Sequence, residues 1–154
     1  MPAKLIKGSN LGIPFPVDDL LMLFKRYGTL GYDKLSRPEQ MFVCVWDLEG
    51  EVNNGGVDQY YFNTSGDHAL DAPKALEAIA ARHTSNLLRQ ANELFGESGP
   101  SPDRASRQKQ LHALDGTRIR KIKAIEEEFF KYTDDLGKLL ETYVSKNVDA
   151  FGLR

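Results

Sequence analysis

The sequence has one cysteine, Cys44, and no long apolar run. A single cysteine excludes an internal disulfide framework and leaves no second thiolate for a zinc knuckle. Cys44 lies within the apolar run Met41–Trp46, where a thiol acts as a small core hydrophobe. No stretch approaches the roughly 18 apolar residues of a membrane span, and residues 1–8 lack the apolar region of a secretion signal. We therefore expect a cytoplasmic protein without a membrane partner.

The alternation of apolar and polar residues that is typical of β-strands is also missing, as are internal repeats. Apolar residues instead recur at helical spacing between caps and breakers. The chain has 154 residues, of which 41% are hydrophobic and 27% charged, and this suits one globular domain. The sequence predicts an all-α fold, with an irregular N-terminal arm at 1–16 and a single compact multi-helix domain at 17–154.

Helix boundaries are predicted from caps and breakers. Asp18 and Asp19 should open an apolar helix that stops at Gly28. The capping box Ser36-Arg-Pro-Glu39 starts a second helix, which should run to about Glu49 and be the most buried one. Further helical regions are predicted at 58–63, 67–80, 86–95, 103–113, 117–131 and after Asp135.

One segment stands out in composition: Glu51-Val-Asn-Asn-Gly-Gly-Val-Asp-Gln-Tyr-Tyr-Phe-Asn-Thr-Ser-Gly-Asp67. Several Asn and Gly residues alternate here with large rings that must be buried, which predicts a defined corner between two helices. Gly55, Gly56 and Gly66 are assigned to the turns, and Asn53 or Asn54 could take the left-handed position. Tyr60, Tyr61 and Phe62 cannot all face one side of a helix, so at least one ring should point outward.

Charge is unevenly distributed, although the formal net charge is only −2. No Lys or Arg occurs between Pro38 and Pro73, while acidic residues recur at Glu39, Asp47, Glu49, Glu51, Asp58, Asp67 and Asp71. Basic residues follow at Arg104, Arg107, Lys109, Arg118, Arg120, Lys121 and Lys123. Aromatic residues do not interleave with this basic stretch, which disfavours direct nucleic-acid binding. The basic stretch is explained equally well as a solvated helix face that pairs with the acidic segment.

The corner therefore has a structural interpretation and a functional one. As a functional site, its polar, net-negative residues beside aromatic rings suit recognition of a protein partner. The predicted partner-binding residues are Glu49, Glu51, Asn53, Asn54, Asp58, Gln59, Tyr61, Asn63 and Asp67. The sequence leaves open whether the protein is a monomer or a homodimer.

Two other interpretations compete with partner binding. His68, His83 and His112 are scattered and form no metal-ligand spacing, so no metal or other cofactor is predicted. An enzyme or small-ligand binder would need Glu51, Asp58 and His68 to converge in a pocket, with a carboxyl pKa shifted by burial. Alternatively, the corner is only a folding element and the function lies on the basic face.

The segment Glu51–Asp67 closely resembles the signature of the DNA mimic protein 19-like family. The resemblance extends over roughly residues 17–150. It implies a compact, all-helical bacterial cytoplasmic protein with no established enzymatic activity. A DNA mimic presents acidic side chains where a DNA-binding protein expects phosphates, so the implied partner is a basic, DNA-binding transcription regulator. A net charge of −2 departs from this expectation, because such binding is largely electrostatic.

Overall fold

The computed structural model describes residues 17–152, with side chains from residue 19 onward. The predicted arm at 1–16 lies outside the described residues. The described chain is all-α and contains no strand, as the sequence predicted. Its helices are α1 (Val17–Leu30), α2 (Arg37–Gly55), α3 (Val57–Phe62), α4 (Ala72–Ala78), α5 (Arg82–Glu93), α6 (Arg104–His112), α7 (Gly116–Phe129) and α8 (Leu136–Ser145). Short 3₁₀ turns occur at Tyr32–Lys34, Thr64–His68 and Val148–Phe151.

Helix α2 is the centre of the fold. Phe42, Val43, Val45 and Leu48 are all fully buried, so apolar side chains cover most of its circumference. It packs against α3, α4, α8 and two of the 3₁₀ turns. One cluster of buried apolar side chains extends from α1 through α2 to α8. The described residues therefore form a single domain around one central helix.

Two caps read from the sequence, at Ser36 and Asp135, are present in the structure. The Ser36 hydroxyl accepts from the backbone N–H of Glu39, and the Glu39 carboxylate accepts from the backbone N–H of Ser36, which completes the predicted capping box. Asp135 caps α8 by accepting from the N–H of Lys138 at 3.1 Å. Such caps are local in sequence and could therefore be predicted.

The predicted ends of α1 and α2 were wrong. Helix α1 continues past Gly28 to Leu30, and Gly31 takes the left-handed φ of +83°. Helix α2 continues past Glu49 to Gly55 because Val52 is buried in the core. Tertiary packing there outweighs the low helix propensity of the Gly and Asn residues.

None of the described helices is both long enough and apolar enough to cross a membrane.

Candidate partner-binding surface

A glycine forms the bend between α2 and α3. Gly56 has a φ of +93°, in the region that favours glycine, whereas Asn53 and Asn54, the predicted left-handed candidates, lie inside α2. A Cβ atom at Gly56 would lie 2.4 Å from a carboxylate oxygen of Glu126. The same carboxylate accepts from the backbone N–H of Val57 at 2.8 Å. The corner is thus a defined bend held by α7.

Arg107 fixes the other end of the corner. Its guanidinium is fully buried and donates to the carbonyl oxygens of Tyr61 (2.6 Å), Asn63 (2.7 Å) and Ser101 (2.8 Å). It also pairs with the Asp67 carboxylate at 2.7 Å. The last carbonyls of a helix lack intrahelical donors, and a cation suits this negative end. Arg107 therefore caps α3 and ties it to α6, and we call this arrangement the Arg107 clamp.

The rings of the corner divide as predicted. Tyr60 and Tyr61 are buried, whereas Phe62 is 41% exposed. The Tyr61 hydroxyl donates to the side-chain oxygen of Asn92 at 2.7 Å. Burial raises the pKa of Tyr61, which keeps this hydroxyl neutral.

Two predicted partner-binding residues, Glu49 and Tyr61, face inward instead. Glu49 is fully buried and accepts from the Asn53 amide at 2.8 Å and from the Tyr132 hydroxyl at 2.8 Å. A side chain without exposed surface cannot contact a partner on this face, so the structure corrects these two assignments.

The remaining polar residues of the corner mostly bind one another. The Glu51 carboxylate accepts from the amides of Gln59 (2.7 Å) and Asn63 (3.1 Å), and Asp58 lies 3.5 Å from the Lys123 ammonium. Asn54 is exposed. The Asp58–Lys123 and Asp67–Arg107 pairs neutralise part of the predicted negative charge.

Glu51, Asp58 and His68, the alternative catalytic set, bind separate neighbours. His68 stacks on the ring of Tyr32 with centroids 3.7 Å apart. Burial lowers the pKa of His68, although the charges of Asp67, Asp71 and Asp33 oppose the shift. No hydrogen bond or ion pair within residues 19–152 joins any two members of the set.

Several carboxylates lie around His68 and Tyr27, and they were not predicted as one group from the sequence. The charges of Asp33 and Asp71 both raise the pKa of His68 against the larger effect of burial, and Asp47 accepts from the Tyr27 hydroxyl at 3.1 Å. The charges of Asp47 and Asp67 both raise the pKa of Tyr27, after the larger effect of burial. We call the group Asp33, Asp47, Glu51, Asp67 and Asp71 the acidic strip. Within the described part of the chain, the one ion pair to this strip is Arg107–Asp67.

Asp47 shows how crowded the strip is. Burial raises the pKa of Asp47 to about 7; the Tyr27 hydrogen bond opposes the rise, and the charge of Glu51 adds to it. Asp47 and Glu51 are four residues apart on α2, so they share one face of that helix. This spacing and the absence of Lys and Arg between Pro38 and Pro73 were the sequence signals for the strip. Asp33 and Asp71 come from other segments, and only folding brings them close.

The described residues thus form an all-helical domain that carries the acidic strip on its surface. The chain belongs to the DMP19-like protein family, whose model matches residues 33–147. This match confirms the resemblance seen in the sequence and covers the whole acidic strip. No curated protein and no solved structure matches the chain.

Proposed function

We propose that this protein is a non-catalytic binding protein whose acidic strip occupies the DNA-binding surface of a basic protein. The partner would be a transcription regulator, and the strip would stand in for DNA phosphates. The single observation behind this proposal is the gathering of strip carboxylates from α2 and three neighbouring segments, with Arg107 as their one paired cation among the described residues. The family membership, with the DNA-mimic character implied by its name, supports the proposal.

The exposures of the strip residues favour electrostatic recognition. Asp33 is exposed, while Asp47, Glu51 and Asp71 are half-buried at the surface. Half-buried carboxylates are held in place by neighbours, so these side chains lose less conformational entropy when a partner binds them. Charges beside low-dielectric protein are also screened less by salt than fully solvated ones.

The strip can be tested by neutralising it. A triple variant Asp33→Asn, Glu51→Gln, Asp71→Asn keeps each side chain's shape and removes three charges. A matched control, Glu93→Gln, Glu97→Gln, Glu127→Gln, removes the same charge from exposed positions elsewhere. The unchanged protein and the control should capture the same DNA-binding proteins from native lysate and release them at about 0.5 M salt.

The strip variant should lose this capture, because steering and specificity depend on the arrangement of charges and not on net charge alone. Equal capture by the strip variant and the control would contradict the proposed surface. Retention of the captured proteins at high salt would contradict electrostatic recognition.

A further inference from the structure

A second surface lies where Phe62 meets α6. The Phe62 ring, Ala105, Gln108, Lys109, His112 and Ala113 line a shallow groove of about 730 Å³, which we call the Phe62 groove. None of these residues belongs to the acidic strip. Phe62 is the one exposed ring of the corner's aromatic triplet, and the proposed function does not use it.

Helix α6 holds the Phe62 ring in this exposed position. The guanidinium of Arg104 and the amide of Gln108 donate to the Phe62 carbonyl oxygen at 3.1 and 3.0 Å. The Arg104 guanidinium carbon also lies 5.9 Å from the centre of the Phe62 ring, within the range of a cation–π contact. The groove is therefore preformed, and a ligand would spend little free energy on ordering it.

The groove combines an apolar floor with a positive rim. The Phe62 ring and the exposed side chains of Ala105 and Ala113 supply apolar surface, and no carboxylate lines the groove. Lys109 has no ion-pair partner within residues 19–152, and Arg104 reaches only neutral acceptors there. This rim complements negative charge, and the floor complements one apolar side chain.

We propose that the Phe62 groove binds an acidic peptide segment of a partner protein, which inserts one large apolar side chain against Phe62. Carboxylates on either side of that anchor pair with Lys109 and Arg104. A peptide fits better than a nucleic-acid strand, because a strand needs successive aromatic platforms and this groove offers a single ring. The groove shares no residue with the acidic strip, so either proposal can be refuted without the other.

The test uses fluorescence anisotropy with short dye-labelled peptides of glutamate and serine. One probe carries a central tryptophan, a second has serine at that position, and a thymidine oligonucleotide of equal charge is the third. The protein should bind the tryptophan peptide about ten times more tightly than either other probe, a difference of about 1.4 kcal/mol. Equal binding of the two peptides, tighter binding of the oligonucleotide, or no binding of the tryptophan peptide would overturn the proposal.

The variant Ala105→Glu places a carboxylate on the groove floor. Its matched control, Ser106→Glu, adds the same charge at the next, exposed position outside the groove. Both positions lie in the first turn of α6, where an acidic residue stabilises a helix, so both variants should fold. Ala105→Glu should weaken binding of the tryptophan peptide about tenfold more than Ser106→Glu does. Equal weakening by the two variants would show that net charge alone governs binding, and would refute the proposal that the peptide binds in the Phe62 groove.

Discussion

Gly66 lies where the fold leaves no room for a side chain. A Cβ atom there would lie 2.7 Å from the Arg107 Nε and 2.7 Å from the carbonyl oxygen of Tyr60. Both neighbours are fixed, one by burial and one by the backbone of α3. The sequence assigned this glycine to a turn, and the structure shows that close approach is what requires it.

Replacement of Gly66 by alanine should therefore lower the free energy of unfolding, by about 2–3 kcal/mol, because the Arg107 clamp must shift. Gly28 is the matched control, since it lies on the exposed side of α1 with no atom near its missing Cβ. Gly28→Ala should stabilise the protein by roughly 0.5–1 kcal/mol. Urea unfolding of both variants measures the contrast, and similar values for the two would refute the steric role of Gly66.

Asp47 should make stability depend on pH. Its folded pKa of about 7 lies above the value of about 4 in an unfolded chain. The unfolded chain therefore loses its proton first as the pH rises, and stability falls between about pH 4 and pH 7. Because Asp47 keeps some contact with solvent, this loss should be only about 1 kcal/mol.

Asp47→Asn removes the titrating group and should remove this part of the pH dependence. Urea unfolding at pH 5 and pH 8 measures it, with Asp149→Asn at an exposed position as the control. If the Asp47 variant kept the full pH dependence, the shifted pKa would belong to another group.

At the scale of elements, α3 is a six-residue helix that depends on α6 for its capping. Isolated helices of this length are not stable in water, so tertiary contacts must supply the missing donors. Arg107, Arg104 and Gln108 together bind the carbonyl oxygens of residues 61, 62 and 63. The unusual corner is therefore held in place by the basic stretch that follows much later in the sequence.

Arg107→Ala should cost about 3–5 kcal/mol, because it leaves buried carbonyls and the Asp67 carboxylate without their donor. Arg107→Lys should cost less but still destabilise, since lysine lacks the planar fork. The control Arg104→Ala should cost about 1 kcal/mol or less, because Arg104 is exposed. Chemical denaturation measures all three, and an equal cost for Arg107→Ala and Arg104→Ala would contradict the clamp.

The predictable parts of the fold were those encoded locally. The helical class, the capping box at Ser36 and the outward ring of the aromatic triplet follow from spacing and residue type. The Arg107 clamp could not be predicted, because its partners Tyr61 and Asn63 are 46 and 44 residues away. Neither could the turn after α4, where Ala80 adopts a left-handed φ of +69° without the glycine that usually signals it.

The candidate site was predicted only in part, for the same reason. The sequence located the acidic segment and its lack of lysine and arginine, but it could not tell which carboxylates face inward. Glu49 looks like a surface acid in the sequence and is buried beside Tyr132, 83 residues away. Asp33 joins the strip because the Tyr32–Lys34 turn packs against α1, and Asp71 joins it because α4, which it precedes, packs against α2.

At the scale of the whole molecule, charge is unevenly distributed over the described chain. The strip carboxylates come from α2 and three neighbouring segments, whereas α6 and the first half of α7 carry mainly basic residues. The net charge of −2 is a sum over the whole chain, so it reveals neither the acidic region nor the basic one. A partner senses the local field, because salt screens exposed charges beyond roughly 8 Å under physiological conditions.

Under the proposed function, the acidic strip and DNA compete for one surface on a partner. The most direct measurement titrates this protein into a captured DNA-binding partner that already holds labelled duplex DNA, with anisotropy reporting release. Such competition predicts that the unchanged protein displaces the DNA, and that the Asp33→Asn, Glu51→Gln, Asp71→Asn variant does so only at a concentration at least about tenfold higher. A ternary complex, in which protein and DNA stay bound to the partner together, would contradict it.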